Sequence, residues 1–157
     1  MFARTETALE ESERFLTDNQ LMGNPVEAYL SQYLLISLCA EIQQAIYSTV
    51  ATHFSKSDAS HKLDDYVSNS SKKILRSFEK NEIAGYLDHF GTATKDAFNE
   101  ALTGCDQQIE LYSGIVKSRH SVAHDGGCKK SFREIKAGLL AAEMIVNAVE
   151  RALETTV

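Results

Sequence analysis

The chain has 157 residues, 43% of them hydrophobic and 24% charged, which is typical of a globular protein with a core of its own. Its formal net charge of −6 argues against a general nucleic-acid coat protein, which needs a basic surface, but leaves room for a local basic site. The cysteines Cys39, Cys105 and Cys128 are odd in number and lack C-x-x-C spacing, which predicts free thiols in a reducing cytoplasm. We expect one domain over residues 1–157.

The N-terminal segment is charged and amphipathic. It has no apolar core segment before Thr17, so the sequence predicts no signal peptide. Thr5–Thr17 is predicted to form a first short helix. Asn19–Pro25 then breaks the chain, because Gly23 favours a turn and Pro25 favours the first turn of a new helix.

A long helix is predicted from Val26 to about Phe54. At 100° per residue, Leu30, Leu34 and Leu38 fall in one arc, as an amphipathic helix requires, and Glu41 lies in the same arc. The most apolar stretch of this helix contains several serines and glutamines, and we judge it too polar for a membrane span. A cytoplasmic protein is therefore expected.

The second half of the chain is predicted to be helical as well. Ser55–Ser71 is polar and is expected to be a connection with at most one helical turn, at Lys62–Val67. The helical segments expected after it are Lys72–Phe90, Thr94–Leu102, Asp106 to about Ala123, and a last helix that begins with the capping box Ser131–Glu134 and runs to about Leu153. The fold class is therefore all-α, a bundle of about four main helices with several short ones.

The motif that carries chemistry is Arg119-His120-Ser121-Val122-Ala123-His124. The planar, permanently charged guanidinium of Arg119 suits a phosphate. His124 carries an imidazole, which takes or gives a proton near neutral pH. An arginine and a histidine in one short segment are a minimal set for phosphodiester chemistry.

Arg119 also follows the apolar stripe of Ile109, Tyr112 and Val116, so it is predicted to face protein. A buried guanidinium needs a partner, and Glu41 on the apolar arc of the long helix is the candidate. A purely structural ion pair between the two helices is the alternative reading of Arg119 and Glu41.

The histidines have alternatives too. His124 at a helix end is often only a partner for the last carbonyls and the helix dipole. His120 and His124 are four residues apart, which with Asp125 suggests a metal site. A fourth ligand is not visible in the sequence, so we predict no metal.

The motif resembles the signature of the HEPN superfamily, in which an arginine and a polar residue precede three variable positions and a histidine. The segment Ala-His-Asp-Gly-Gly that begins at Ala123 also resembles a common ending of that signature, and the helical context agrees. Within this superfamily, the chain most resembles stand-alone bacterial proteins of the RiboL-PSP-HEPN type. His120 is a departure, since asparagine or aspartate is frequent at its position.

The resemblance implies an endoribonuclease that needs neither metal nor other cofactor and leaves 2′,3′-cyclic phosphate ends. Arg119 would hold the scissile phosphate, His124 would transfer protons, and His120 would tune the pair. Glu41 would hold Arg119 in position without contacting the substrate itself. Cationic residues that flank the motif and would bind the RNA backbone are Lys117, Lys129 and Lys130, while Tyr112 and Phe132 are weaker candidates for stacking on bases.

Geometry adds a further expectation. Residues five apart on a helix diverge by about 140°, so Arg119 and His124 do not converge while the helix is regular. Either the helix end bends back, or two copies meet across a two-fold axis, and we expect a homodimer. The resemblance also implies a toxin or phage-defence context, with an antitoxin such as a nucleotidyltransferase-like protein. The alternative function is a non-catalytic helical module that binds a protein partner.

Overall fold

The computed structural model describes residues 1–55, 61–125 and 130–155, and it describes the backbone alone at residues 61–64, 68, 120–121 and 123–125. These ranges contain helices and no strand, which confirms the all-α class. The helices are α1 (Ala3–Asp18), α2 (Pro25–Ser55), α3 (His61–Ile74), α4 (Lys80–Asp88), α5 (Thr92–Ala101), α6 (Asp106–Asp125) and α7 (Phe132–Glu154).

Five helices agree with the sequence prediction to within two residues at each end: α1, α2, α5, α6 and α7. The capping box at the start of α7 is also confirmed. The hydroxyl of Ser131 accepts from the backbone N–H of Glu134, and the Glu134 carboxylate accepts from the Ser131 N–H. Hydrogen bonds from Lys130 and Ser131 lower the pKa of Glu134 to about 2.

The prediction for residues 55–90 is wrong in two respects. α3 occupies most of the segment expected to be a polar connection, because packing stabilises it where the local sequence does not. Near its end, Ser71 shares a hydrogen bond with the hydroxyl of Tyr86, and the Tyr47 hydroxyl donates to the carbonyl of Leu75 over 3.0 Å. The helix expected over Lys72–Phe90 is interrupted at residues 75–79, where Leu75 and Phe78 are buried.

The core lies around α2 and α7, which pack on each other and on the surrounding helices. The leucines of the predicted arc are confirmed as core, since Leu34 and Leu38 are fully buried. α2 is also long and apolar enough to cross a membrane by length and composition, and 44% of its most apolar window is buried inside the protein. The core helix of a bundle passes the same test, so this property decides nothing about localisation.

α6 is held against α7 where the side chain of Ile115 packs directly on the backbone of Gly138. A Cβ placed on Gly138 of α7 would lie 2.4 Å from Cγ1 of Ile115, which is far inside van der Waals contact. Only a residue without a side chain fits there. One turn earlier in α6, the buried hydroxyl of Tyr112 donates to the carbonyl of Phe78. These contacts fix the position of the helix that carries the arginine and histidine motif.

Candidate functional site

The motif lies entirely within α6. The helix continues to Asp125, so Arg119 and His124 both belong to regular helix and their directions diverge by about 140°. The helix therefore does not bend back at His124, which was one of the two expected ways for the pair to converge. The side chains of His120 and His124 lie outside the described residues.

α6 runs antiparallel to α2. At the beginning of the contact, Tyr112 bonds to Phe78, whose ring packs edge-on against Tyr47 with ring centroids 5.9 Å apart. Farther along α6, the thiol of Cys39 lies 4.0 Å from the carbonyl oxygen of Ile115. The contacts therefore shift toward the N-terminus of α2 as they shift toward the C-terminus of α6.

The end of α6 consequently lies beside the first turns of α2. Lys130 and Ser131, which follow α6 in the chain, line one surface groove together with Ala28 and Ser31 of α2. This arrangement places the C-terminal turns of α6, and with them the motif, against the half of α2 that precedes Cys39.

Arg119 is exposed, so the prediction that it faces protein is wrong. Its backbone follows the buried Ile115 and Val116, but its long side chain carries the charge to solvent, as arginine readily does. The nearby Cys39 is buried, and burial raises its thiol pKa to about 11, an effect that the positive charge of Arg119 partly offsets. Arg119 forms no ion pair with another described residue.

Glu41 does not hold Arg119, and the expected pair of these residues is a second correction. Its carboxylate accepts hydrogen bonds from the backbone N–H groups of Arg4 and Thr5, over 3.3 and 2.9 Å. Glu41 thus caps the N-terminus of α1 from the neighbouring helix, where a negative charge also favours the helix dipole. The nearby hydroxyl of Thr5 bonds to Ser37. Glu41, as a polar residue in the apolar arc of α2, does have a partner, but that partner is the N-terminus of α1 and not Arg119.

We therefore expect Glu41→Ala to lower stability and to leave the chemistry of Arg119 unchanged. Loss of a helix cap costs about 1 kcal/mol of stability. The stability of Glu41→Gln should lie between those of the wild type and Glu41→Ala, because glutamine keeps one acceptor oxygen. Urea unfolding of both variants measures the effect. A Glu41→Ala protein of wild-type stability whose RNA cleavage is lost would instead give Glu41 the supporting role first expected.

The predicted RNA-binding lysines are less free than the sequence suggests. Lys117 is exposed and lies 3.9 Å from a carboxylate oxygen of Glu79, a weak surface pair. The ammonium of Lys130 bonds to Glu134 over 2.9 Å. Lys129 lies outside the described residues. Each of the two described lysines already has a carboxylate beside it, and the ammonium of Lys130 lies next to Gly114 in the middle of α6 rather than at its end.

The two aromatic residues suggested for stacking are unavailable. Tyr112 and Phe132 are buried in the core, with 0% and 4% of their surface exposed. Two exposed aromatic residues that sequence reasoning missed are instead Tyr29 and Tyr33 on the neighbouring helix α2. Their spacing of four residues, continued by Ile36, was the signal that could have indicated a second apolar row on this helix.

The residues described with side chains contain no group of three or more histidine, cysteine, aspartate or glutamate residues that could hold a metal ion. The one set suggested by the sequence, His120, His124 and Asp125, lies outside those residues. Cys39 and Cys105 are free thiols, as expected, while Cys128 falls outside the described part of the chain.

Comparison of the chain with models of protein families, with curated proteins and with solved structures gives no match.

Proposed function

We propose that this protein is a metal-independent endoribonuclease of the HEPN type. The observation that carries the proposal is the exposed guanidinium of Arg119, which has no ion pair among the described residues and stands on the helix that continues through His124. A permanent charge in this position is open to an anionic ligand, and phosphate is the anion that arginine binds best in proteins.

The reaction follows from these two residue types. The 2′-hydroxyl of the RNA loses its proton and attacks the adjacent phosphorus, the bond to the 5′-oxygen breaks, and that oxygen takes up a proton. The products are a 2′,3′-cyclic phosphate and a 5′-hydroxyl. His124 transfers a proton in this sequence, Arg119 stabilises the charge that develops on the phosphate oxygens, and His120 tunes the pair. DNA is not cleaved, because it lacks the 2′-hydroxyl.

The site requires two copies of the chain in this proposal. Regular helix through Asp125 separates the directions of Arg119 and His124 by about 140°, so the residues of one motif do not meet on one phosphate. A two-fold dimer that faces the two α6 ends toward each other supplies the arginine from one copy and the histidine from the other.

A non-catalytic module that binds a protein partner is the second candidate. In this candidate function, Arg119 and Glu41 have no catalytic role and form a structural ion pair between two helices. The hydrogen bonds of Glu41 to Arg4 and Thr5 remove that explanation, and the exposed charge of Arg119 favours the nuclease. The nuclease would act in the cytoplasm as a toxin or defence protein, and a nucleotidyltransferase-like protein is the kind of antitoxin proposed.

Purified wild-type protein incubated with total RNA in EDTA tests this function. We expect cleavage by the wild type, and a loss of at least about 100-fold in Arg119→Ala and in His124→Ala, because each removes a charge or proton-transfer step of that size. His89→Ala is the matched control, since His89 is an exposed histidine outside the motif. Equal cleavage by wild type and His124→Ala would refute the assignment.

A further inference from the structure

One outward face of α2 is apolar and is left uncovered by the residues that the structure describes. Tyr29 is 70% exposed, and Tyr33 and Ile36 are each 50% exposed. Ala40, one turn farther, is exposed as well. These four residues, which we call the α2 strip, follow each other at helical spacing over about 16 Å.

The α2 strip carries no charge, although the chain has 22 acidic and 16 basic residues. Glu41 is the one charged residue of α2 between Ala28 and Ser48, and its carboxylate is directed to the first turn of α1. A run of exposed aromatic and aliphatic side chains without charges is the usual composition of an interface centre. The rest of the surface has to accommodate a net charge of −6.

The strip lies between two neighbouring helices. On one side, Ser37 and Glu41 contact α1. On the other side, Cys39 contacts α6 at Ile115, and the charge of Arg119 acts on the Cys39 thiol. Arg119, one helical turn after Ile115, therefore lies on the helix that borders the strip on this side.

We infer that a second copy of this chain docks on the α2 strip. In a two-fold dimer each copy presents the same surface, so the uncharged strip of one copy meets the uncharged strip of the other. Two chains of charge −6 then meet without opposing carboxylates at the centre of the interface. A polyanion such as RNA finds no cation on the strip itself, which makes it a poorer occupant of this face.

The size of the strip agrees with this partner. Exposed tyrosines contribute on the order of 100 to 200 Å² each, so with Ile36, Ala40 and the neighbouring Gln32, Gln43 and Gln44 the face offers on the order of 600 Å², which is most of the roughly 800 Å² per partner of a standard interface. If the two α2 helices cross antiparallel, the docking also brings the two α6 helices, and with them the two Arg119 residues, to the same side of the dimer. That last consequence rests on the proposed ribonuclease function, whereas the docking itself does not.

The substitution Ile36→Glu tests the surface. Ile36 is half-exposed on a helix, so a glutamate there does not disturb the core of the monomer, which circular dichroism and thermal unfolding verify. We expect wild type to be a dimer by light scattering at micromolar concentration, and Ile36→Glu to weaken the dimer on the order of 100-fold. Leu140→Glu is the matched control: Leu140 is 65% exposed on α7, away from the strip, and its replacement should leave the dimer intact.

A mixing experiment distinguishes a local charge effect from misfolding. If Ile36 lies near the two-fold axis, Ile36→Glu and Ile36→Lys are each monomeric, and an equimolar mixture of them forms a heterodimer. A monomeric wild type, or a dimer that Leu140→Glu disrupts and Ile36→Glu does not, overturns the inference. So does a monomer whose RNA binding, measured with a labelled single-stranded oligonucleotide, depends on Tyr29 and Tyr33, since RNA would then occupy the strip.

The two proposals fail separately. A wild-type dimer that Ile36→Glu dissociates, without any RNA cleavage, supports the docking surface and refutes the nuclease. Cleavage by a wild-type monomer supports the ribonuclease activity, but it refutes both the docking surface and a site built from two copies. Association and cleavage are therefore measured on the same preparations.

Discussion

An equimolar mixture of Arg119→Ala and His124→Ala proteins should recover RNA cleavage that neither variant has alone. If the arginine of one copy acts with the histidine of the other, a heterodimer of the two variants contains one complete site and one empty site. Half of the dimers in a random mixture are heterodimers, so we expect about a quarter of the wild-type rate. A gain from near zero to a quarter is the largest effect that the account predicts.

The control for this experiment is a mixture of Arg119→Ala with the double variant Arg119→Ala/His124→Ala, which contains no complete site in any combination. Ile36→Glu placed in both partners should also prevent recovery, because it prevents the copies from pairing. A mixture as inactive as its components, at concentrations where the protein is dimeric and the wild type cleaves RNA, would show that each site is built from one chain. Cleavage by the single variants would instead refute the roles of Arg119 and His124.

The second large effect concerns stability. Gly138→Ala should destabilise the protein by about 2 kcal/mol, because the new methyl group collides with Ile115 across the α6–α7 contact and the backbones have to separate. Alanine is otherwise the better helix former by about 1 kcal/mol, so a loss of stability here reports the collision alone. For a chain of this length, the melting temperature should fall by roughly 4 to 8 °C.

Gly85→Ala is the matched control for that substitution. Gly85 also lies within a helix, but a Cβ there meets no atom within 4 Å, so helix propensity should raise stability by about 0.5 to 1 kcal/mol. Urea unfolding of both variants measures the difference. Because the collision is with Ile115, Gly138→Ala should cost less in an Ile115→Ala background, and an unchanged cost in that background would contradict the proposed packing.

The helices that the sequence predicts best are those with a strong local signal. The apolar arc of Leu34 and Leu38 identifies α2, and the capping box of Ser131 and Glu134 identifies the start of α7. α3 was missed because its local sequence is polar and its order comes from distant contacts. The hydroxyls of Tyr47 and Tyr86 bind it from elements far away in the chain.

The candidate site shows the same difference between features that local sequence predicts and features that depend on distant contacts. A polar Glu41 on an apolar arc correctly indicates a buried partner, but local sequence does not encode which element supplies it, and the backbone of α1 competes with any side chain. Helical spacing aligned Arg119 with the buried Ile115 and Val116 and so predicted that it faces protein, but the residue is exposed, because spacing ignores the length and charge of the side chain. The second apolar row of α2, at Tyr29, Tyr33 and Ile36, was hidden by the stronger leucine arc.

The chemistry of the RNA ends tests the central claim most directly. Wild-type protein and His124→Ala are incubated with total RNA in EDTA, and the ends of the fragments are mapped. The account predicts fragments with 2′,3′-cyclic phosphate and 5′-hydroxyl ends from the wild type, and none from His124→Ala. Fragments with 3′-hydroxyl and 5′-phosphate ends, cleavage that EDTA abolishes, or intact RNA from a folded, dimeric wild type would contradict it.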